Sequence, residues 1–269
     1  MVFVTQTATK VFVDVETAVE FFRKIRIHNE VMVTDEKQLA GCIDHTLLAP
    51  TATREQIKQL CEEAKTYGFH AVSVNGRWVA LAAELLAGSK VAVDGVVSLP
   101  LGADSTKIKV AQAQDAIFAG ADEIDMVADL ASIIEGDTAY LLNQLHAVLK
   151  VCRSMRPPVI LKVIIESAAL TRDQKIFACR IAQQAGVDFI KTSTGLHPAG
   201  GATVEDIKLM KETAPNCRIK AAGGIRTAKQ TLEMLEAGAE RIGTSSSVQI
   251  INEFRAGRLN DDTNSRQNR

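Results

Sequence analysis

Two lysines stand near the ends of segments that the pattern predicts as buried strands. Lys191 follows the apolar pair Phe189-Ile190, and Lys220 follows Ile219; a glycine-containing turn comes after each. Burial strips an ammonium of its hydration and lowers its pKa, and a second lysine nearby acts in the same direction through like-charge repulsion. A free amine of this kind can attack a carbonyl. The pair therefore predicts Schiff-base chemistry, provided that the fold brings the two lysines together.

Further polar residues occupy the ends of neighbouring predicted strands. Asp125 lies between two apolar residues, so it needs a charged partner or hydrogen bonds to stay buried. We expect it to be an acid or base in catalysis, and the alternative is a structural carboxylate at a turn. Lys162 either faces the interior or pairs with Glu166, and we assign it a supporting role. The remaining polar residues at strand ends are Asp44 and Asn75.

The elements that must position these residues alternate between short β-branched runs and longer amphipathic stretches. Eight such units predict an α/β fold, a single (β/α)8 TIM barrel, with its active site at the carboxyl ends of the strands. An open, doubly wound sheet is the competing fold. The predicted strands are Ala40–Asp44, Ala71–Asn75, Val91–Ser98, Glu123–Val127, Val159–Ile165, Phe189–Thr192, Arg218–Ala221 and Arg241–Thr244.

Three regions follow from this pattern. Residues 38–257 form the predicted barrel, and residues 1–37 form an N-terminal extension with an amphipathic helix at Val15–Arg26. Residues 258–269 are polar and are expected to be a disordered tail. Helix starts are marked by Thr51 or Thr53, by Thr171 with Gln174 three residues later, and by Thr203.

Glycine and small residues follow the last two predicted strands. Gly223-Gly224 comes after the seventh strand and Gly243-Thr244-Ser245-Ser246 after the eighth, and each run leads into a helix. Loops of this kind let backbone N–H groups and a helix N-terminus approach an anion, and this is where barrels commonly bind phosphate. Ordinary turn formation is the alternative explanation.

Composition narrows the classes of partner. The 269 residues carry a net charge of −1, which predicts no broad surface for nucleic acid or for an anionic membrane. Five scattered cysteines without Cys-x-x-Cys spacing predict reduced thiols in a cytoplasmic protein, with no disulfide and no zinc. His45, His197 and Asp44 offer a metal alternative, but they lack a recognised ligand spacing. We expect no metal, no cofactor and no membrane span.

Several motifs, taken together in this order, resemble those of the deoxyribose-phosphate aldolases. The motifs are Ile43–Leu48, Pro100–Gly102, Gly120–Val127, Leu161–Glu166, Lys191–Gly195, Gly200–Thr203, Lys220–Arg226 and Ile242–Ser246.

This resemblance implies a metal-free class I aldolase that needs no cofactor. Such an enzyme reversibly cleaves 2-deoxy-D-ribose 5-phosphate to D-glyceraldehyde 3-phosphate and acetaldehyde. It implies that Lys191 forms the Schiff base, that Lys220 lowers its pKa, and that Asp125 is the acid/base residue, with Asp44 sharing in proton relay. It also implies a homodimer or a higher homo-oligomer. The phosphate-binding residues that it implies are Gly195, Gly223, Gly224, Ser245 and Ser246.

The chain departs from the family pattern at three places: Ala49 replaces a lysine, Leu196–Ala199 replaces a short polar link, and Ala221-Ala222 replaces a different small pair. The second departure lies beside the predicted phosphate site, so it bears on the preference for phosphorylated over free sugar. Two other functions are weighed against the aldolase. One is a barrel enzyme that acts on a sugar phosphate by acid/base chemistry without a covalent lysine. The other is a non-catalytic barrel that binds a phosphate ligand or serves as a scaffold.

Overall fold

The computed structural model describes residues 33–267, with side chains as far as residue 257. In this part of the chain, eight parallel strands close into a barrel in which each strand pairs with the next and the last pairs with the first. The predicted (β/α)8 barrel is confirmed, and the open sheet is excluded because its two edges are hydrogen-bonded to each other. The strands are β1 (Ile43–Leu47), β2 (Ala71–Val74), β3 (Ala92–Val97), β4 (Glu123–Val127), β5 (Ile160–Ile164), β6 (Phe189–Lys191), β7 (Arg218–Ala222) and β8 (Arg241–Thr244).

Helices surround the barrel, and their apolar faces pack on the outer side of the strands. None of the helices within residues 33–267 is long and apolar enough to span a bilayer. The α-helices are α1 (Glu36–Gly41), α2 (Arg54–Tyr67), α3 (Gly76–Leu86), α4 (Thr106–Phe118), α5 (Leu130–Glu135), α6 (Thr138–Ser154), α7 (Arg172–Ala185), α8 (Val204–Thr213), α9 (Ala228–Glu236) and α10 (Ser247–Gln267), and a short 3₁₀ helix spans Ser167–Ala169.

Local signals set the ends of several helices. Thr53 and Thr171 each form a capping box with a glutamine three residues later, and Thr203 accepts a hydrogen bond from the backbone of Asp206. Gly68 and Gly186 end α2 and α7 in the left-handed conformation, which glycine adopts without a steric penalty. These caps fix the points at which the chain enters and leaves the strands.

The predicted start of the first strand is wrong. Ala40 belongs to α1, which begins after the capping carboxylate of Asp35, and β1 begins only at Ile43. Asp44 therefore lies inside a strand and not after it. The strand is displaced because the capped helix continues to Gly41 and only Cys42 separates it from β1.

Two of the three predicted regions extend beyond the described residues. Residues 1–32, including the predicted helix at Val15–Arg26, lie outside the described residues. The last helix, α10, runs across the boundary that the sequence predicts at residue 257. The three-part division of the chain stays a prediction.

Candidate active site

Among the side chains that the structure describes, eight charged ones lie in the interior of the barrel, and we call them the interior charge network. All eight are buried, with exposed fractions of 0 to 4 %. They come from seven strands, and the register places several of them side by side, as in the pairs Asp125–Lys162 and Lys191–Lys220. The network consists of the cations Lys162, Lys191, Lys220 and Arg241 and the carboxylates Asp44, Asp94, Glu123 and Asp125.

Asp125 lies at the centre of this network. Its Oδ1 accepts a hydrogen bond from Lys162 at 2.8 Å, and its Oδ2 accepts from Lys191 at 2.6 Å and from Lys220 at 2.7 Å. Burial alone would raise the pKa of this carboxyl, but the three ammonium groups outweigh burial and hold the pKa well below its usual range. Asp125 is thus an ionised group that touches both lysines of the sequence prediction.

The two predicted lysines differ in their electrostatic environment. Burial lowers the pKa of Lys191, and the charge of Lys220 lowers it further, against the opposing effect of Asp125. Burial acts on Lys220 too, but three carboxylates outweigh it and raise its pKa. Lys191 is 3 % exposed, whereas Lys220 is fully buried. Lys191 is therefore the amine that more readily loses its proton and that lies nearer to solvent.

Asp44 and Lys162 also join the network. Asp44 forms ion pairs with Lys220 and with Arg241, the latter at 2.8 Å from Nη1. Lys162 faces the interior, where its Nζ lies 2.7 Å from Glu123 Oε2 and 2.8 Å from Asp125 Oδ1. Lys162 thus holds Asp125 in place through its charge, and Asp44 does the same for Lys220.

Two other polar residues at strand ends stay outside the network. The suggested pairing of Lys162 with Glu166 is wrong, because Glu166 follows β5 with a left-handed φ of 52° and accepts hydrogen bonds from the backbone of Thr194. Asn75 donates instead to the carbonyl of Leu48 at 3.1 Å. Their side chains therefore tie loops to one another.

Three members of the network were not predicted from the sequence. Asp94 is the single charge in the apolar strand β3, Glu123 precedes Asp125 by two residues, and Arg241 opens β8. The spacing of Glu123 was a usable signal, because residues two apart on a strand share a face. The other two gave no local sign of which face they occupy.

The predicted phosphate-binding glycines lie where three loops meet. Gly195, Gly223 and Gly224 all have positive φ, at 79°, 93° and 80°. A Cβ on Gly223 would lie 2.9 Å from the Cα of Gly201, which is too close for any side chain. The loops after β6 and β7 therefore pack backbone against backbone, and Gly201 joins the residues that the sequence suggested.

The third loop follows β8 and leads into α10. Ser245 is exposed and Ser246 half-buried, and the backbone N–H of Ser246 donates to Thr244 Oγ1 at 3.0 Å. Thr244 Oγ1 in turn donates to the carbonyl of Ile225 at 2.7 Å, which ties this loop to the one after β7. Positive-φ glycines and a helix N-terminus at one edge of the barrel are suited to binding an anion.

The histidines do not assemble into a metal site with Asp44. His45 points away from the barrel interior, with Nδ1 2.9 Å from Ser247 Oγ and Nε2 2.8 Å from Glu63 Oε2. His197 accepts from the backbone of Ala199 in an exposed loop. Among the residues that the structure describes, no group of three or more His, Cys, Asp and Glu side chains is arranged to hold a metal ion. The carboxylates in the barrel interior are instead paired with lysine and arginine.

The barrel and its buried lysines define the class of protein. The (β/α)8 scaffold brings a buried lysine with a lowered pKa, an ionised aspartate and an edge suited to an anion to the ends of its strands, and such groups are typical of the active site of a barrel enzyme. Residues 39–253 match the model of the DeoC/LacD family of aldolases. The chain belongs to this family and is an aldolase, a lyase.

Individual relatives agree with the family match. The chain is 49 % identical over 216 residues to the deoxyribose-phosphate aldolase of Alkaliphilus oremlandii, covering 80 % of this chain and 96 % of that protein. It is 50 % identical over 216 residues to the enzyme of the same name from Thermococcus gammatolerans, covering 79 % and 95 %. Among solved structures, the tetrameric deoxyribose phosphate aldolase of Aeropyrum pernix superposes with a TM-score of 0.78 at 28 % identity, covering 87 % of this chain and 97 % of that one.

Proposed function

We propose that this aldolase reversibly cleaves 2-deoxy-D-ribose 5-phosphate to D-glyceraldehyde 3-phosphate and acetaldehyde through a Schiff base on Lys191. The observation that carries the proposal is the contrast between two buried lysines that share one carboxylate oxygen, Asp125 Oδ2. One of them has a lowered pKa and the other a raised one. The curated relatives named deoxyribose-phosphate aldolase support the choice of substrate.

The first half of the reaction forms the imine. The neutral amine of Lys191 attacks C1 of the open-chain sugar and gives a carbinolamine. Lys220 and Asp125 relay protons between this amine and the departing hydroxyl. Lys220 Nζ lies 2.7 Å from Asp125 Oδ2, and the same oxygen contacts Lys191 Nζ. Loss of water leaves an iminium on Lys191.

The second half breaks the carbon–carbon bond. A base removes the proton of the 3-hydroxyl while the iminium draws the electrons of the C2–C3 bond. C3 then becomes the aldehyde of glyceraldehyde 3-phosphate, and C1–C2 becomes an enamine. Protonation of the enamine at C2 and hydrolysis of the imine release acetaldehyde and restore the amine. Asp125, which contacts Lys191 at 2.6 Å, is the group placed to serve both proton transfers.

The phosphate of the substrate would bind at the edge formed by the loops after β6, β7 and β8. Gly195, Gly223 and Gly224 would offer backbone N–H groups, and Ser245 and Ser246 would add donors near the start of α10. The exposed segment Leu196–Ala199 follows Gly195 directly, so its departure from the family pattern falls at this edge.

Assembly and location are part of the same proposal. The tetrameric state named for the Aeropyrum pernix relative supports a homo-oligomer. The exposed apolar side chains Leu101 and Phe118 are available for such contacts. The five free thiols are compatible with a reducing compartment, so the cytoplasm stays the predicted location.

Reductive trapping tests reaction class and nucleophile together. Incubation with acetaldehyde and borohydride should add an ethyl group to the peptide containing Lys191, and Lys191→Ala should abolish both the modification and the turnover. Lys58→Ala, at an exposed lysine of α2, is the matched control and should retain both. An active enzyme without the modification would favour acid/base chemistry instead. No release of glyceraldehyde 3-phosphate from the wild type would favour the non-catalytic barrel.

A further inference from the structure

Asp94 is a buried carboxylate for which the mechanism above has no use. It is fully buried in β3, and its Oδ2 accepts a hydrogen bond from Lys220 at 3.1 Å. Lys162 Nζ lies 3.0 Å from Oδ1 but approaches in a geometry that makes no hydrogen bond, so Oδ1 is left without a hydrogen-bond partner. Asp44 Oδ2 also lacks a hydrogen-bond partner, but it lies closer to Lys220 Nζ than Asp94 Oδ1 does to Lys162 Nζ. A buried carboxylate oxygen without a hydrogen-bond partner is a position at which a proton can reside.

The charge balance of the interior network calls for one protonated carboxylate. With every group ionised, the four cations balance the four carboxylates. The nucleophile must be a free amine, and a neutral Lys191 would leave three cations facing four carboxylates. An uncompensated charge in a buried site is strongly unfavourable, so one carboxylate should carry a proton in this state.

Of the four carboxylates in the network, Asp94 pairs least closely with the cations. Asp125, Asp44 and Glu123 each have a cation nitrogen within 2.8 Å. The cation nitrogens at Asp94 lie farther away, at 3.0 Å for Lys162 and 3.1 Å for Lys220. Burial and the charge of Asp125 raise the pKa of Asp94, whereas the pKa values of the other three carboxyls lie below their usual range. The proton is therefore best placed on Asp94.

We propose that Asp94 stores a proton in the resting enzyme and releases it, through Lys220 and Asp125, when Lys191 becomes an iminium. The proposal rests on the Schiff-base function proposed above. Asp94 does not need to touch the substrate, because Lys220 Nζ contacts both Asp94 Oδ2 and Asp125 Oδ2, and Asp125 Oδ2 contacts Lys191. Its role is to keep the network neutral while the charge on Lys191 changes.

The step balances without any group from outside. The amine of Lys191, the substrate aldehyde and the protonated Asp94 give the iminium, water and the Asp94 carboxylate. A carbon–nitrogen double bond forms and the carbon–oxygen double bond breaks. The oxygen leaves as water with one amine proton and the stored proton, and the second amine proton stays on the iminium nitrogen. The network passes from three cations and three anions to four of each, so the buried interior gains no net charge.

The other groups around Asp94 do not supply this proton. On β2 its register partner is Ser73, which carries no charge. His70 contacts Glu123 at 3.2 Å, and its side chain is 37 % exposed. On β4 its register partner is Glu123, a member of the interior charge network.

Infrared difference spectroscopy can detect the stored proton directly. A protonated carboxyl absorbs above the amide band, where no ionised carboxylate does. The wild type should show this band at neutral pH and lose it when acetaldehyde forms the imine, and carboxyl-¹³C aspartate should move the band to lower frequency. Asp94→Asn should lack the band from the start. Asp173→Asn, at an exposed carboxylate in the first turn of α7, should behave as wild type.

The pH dependence of imine formation gives a second, independent measure. In Asp94→Asn, forming the iminium must draw a proton from solvent, so the equilibrium constant with acetaldehyde should fall about tenfold per pH unit. The wild type should show no such dependence around neutral pH.

Each outcome bears on one proposal. Failure to trap an imine on Lys191 would reject the Schiff-base function. An imine that forms without loss of a carboxyl band, a band that persists in Asp94→Asn, or a pH-independent imine in that variant would reject the role of Asp94 and leave the function standing. If Asp94→Asn does not fold, the isotope-labelled difference spectrum of the wild type still decides, and the lack of a band overturns the proposal.

Discussion

Removing the charge of Lys220 should raise the pKa of Lys191 and shift activity to higher pH. The two ammonium nitrogens lie within 2.7 Å of the same oxygen of Asp125, so they are about 5 Å apart at most. Two charges at that distance repel by about 3 kcal/mol at an effective dielectric constant of 20. This energy corresponds to about two pKa units. Lys220→Met should therefore reduce the neutral fraction of Lys191 about 100-fold at pH values below its pKa.

The assay is kcat/KM for 2-deoxy-D-ribose 5-phosphate as a function of pH, with glyceraldehyde 3-phosphate measured by a coupled reaction. The acid limb of the profile should move up by about two pH units in Lys220→Met, and activity should partly recover at alkaline pH. Lys220→Arg keeps the charge and is the matched control, so its limb should stay near that of the wild type. A loss of activity that is uniform in pH, with the limb unmoved, would refute the electrostatic role of Lys220.

Three further changes test other parts of the site. Asp125→Asn should lower kcat by about 10²–10⁴-fold, measured by turnover, because it removes the group placed for proton transfer; a loss below tenfold would contradict that role. Gly223→Ala should raise KM for the sugar phosphate and lower the melting temperature more than Gly224→Ala does. Both residues have positive φ, but only at Gly223 would the Cβ meet another backbone; equal effects would argue against that close contact. His45→Asn should raise KM for the phosphorylated sugar and leave the rate with free deoxyribose unchanged, because His45 holds Ser247 at the start of α10; equal loss with both sugars would indicate a general loss of structure.

Much of the fold could be predicted from the sequence because its signals are local. Threonines with a glutamine three residues later begin α2 and α7, and glycines in the left-handed conformation end them. Two of the eight predicted strands, β4 and β8, have the observed bounds. The first strand was misplaced because Ala40 suits a helix as well as a strand, and only the cap at Asp35 distinguishes the two.

The sequence by itself also determined which residues are the candidates for the chemistry. Lysines at apolar strand ends and the aspartate in an apolar strand stand out because a charge in a buried segment is costly, and the barrel directs strand ends to one edge. Only the tertiary structure decided which lysine has the lower pKa and brought Asp94, Glu123 and Arg241 into the same interior. A pKa depends on burial and on distances between charges, and in this barrel those charges come from strands up to 197 residues apart in the chain.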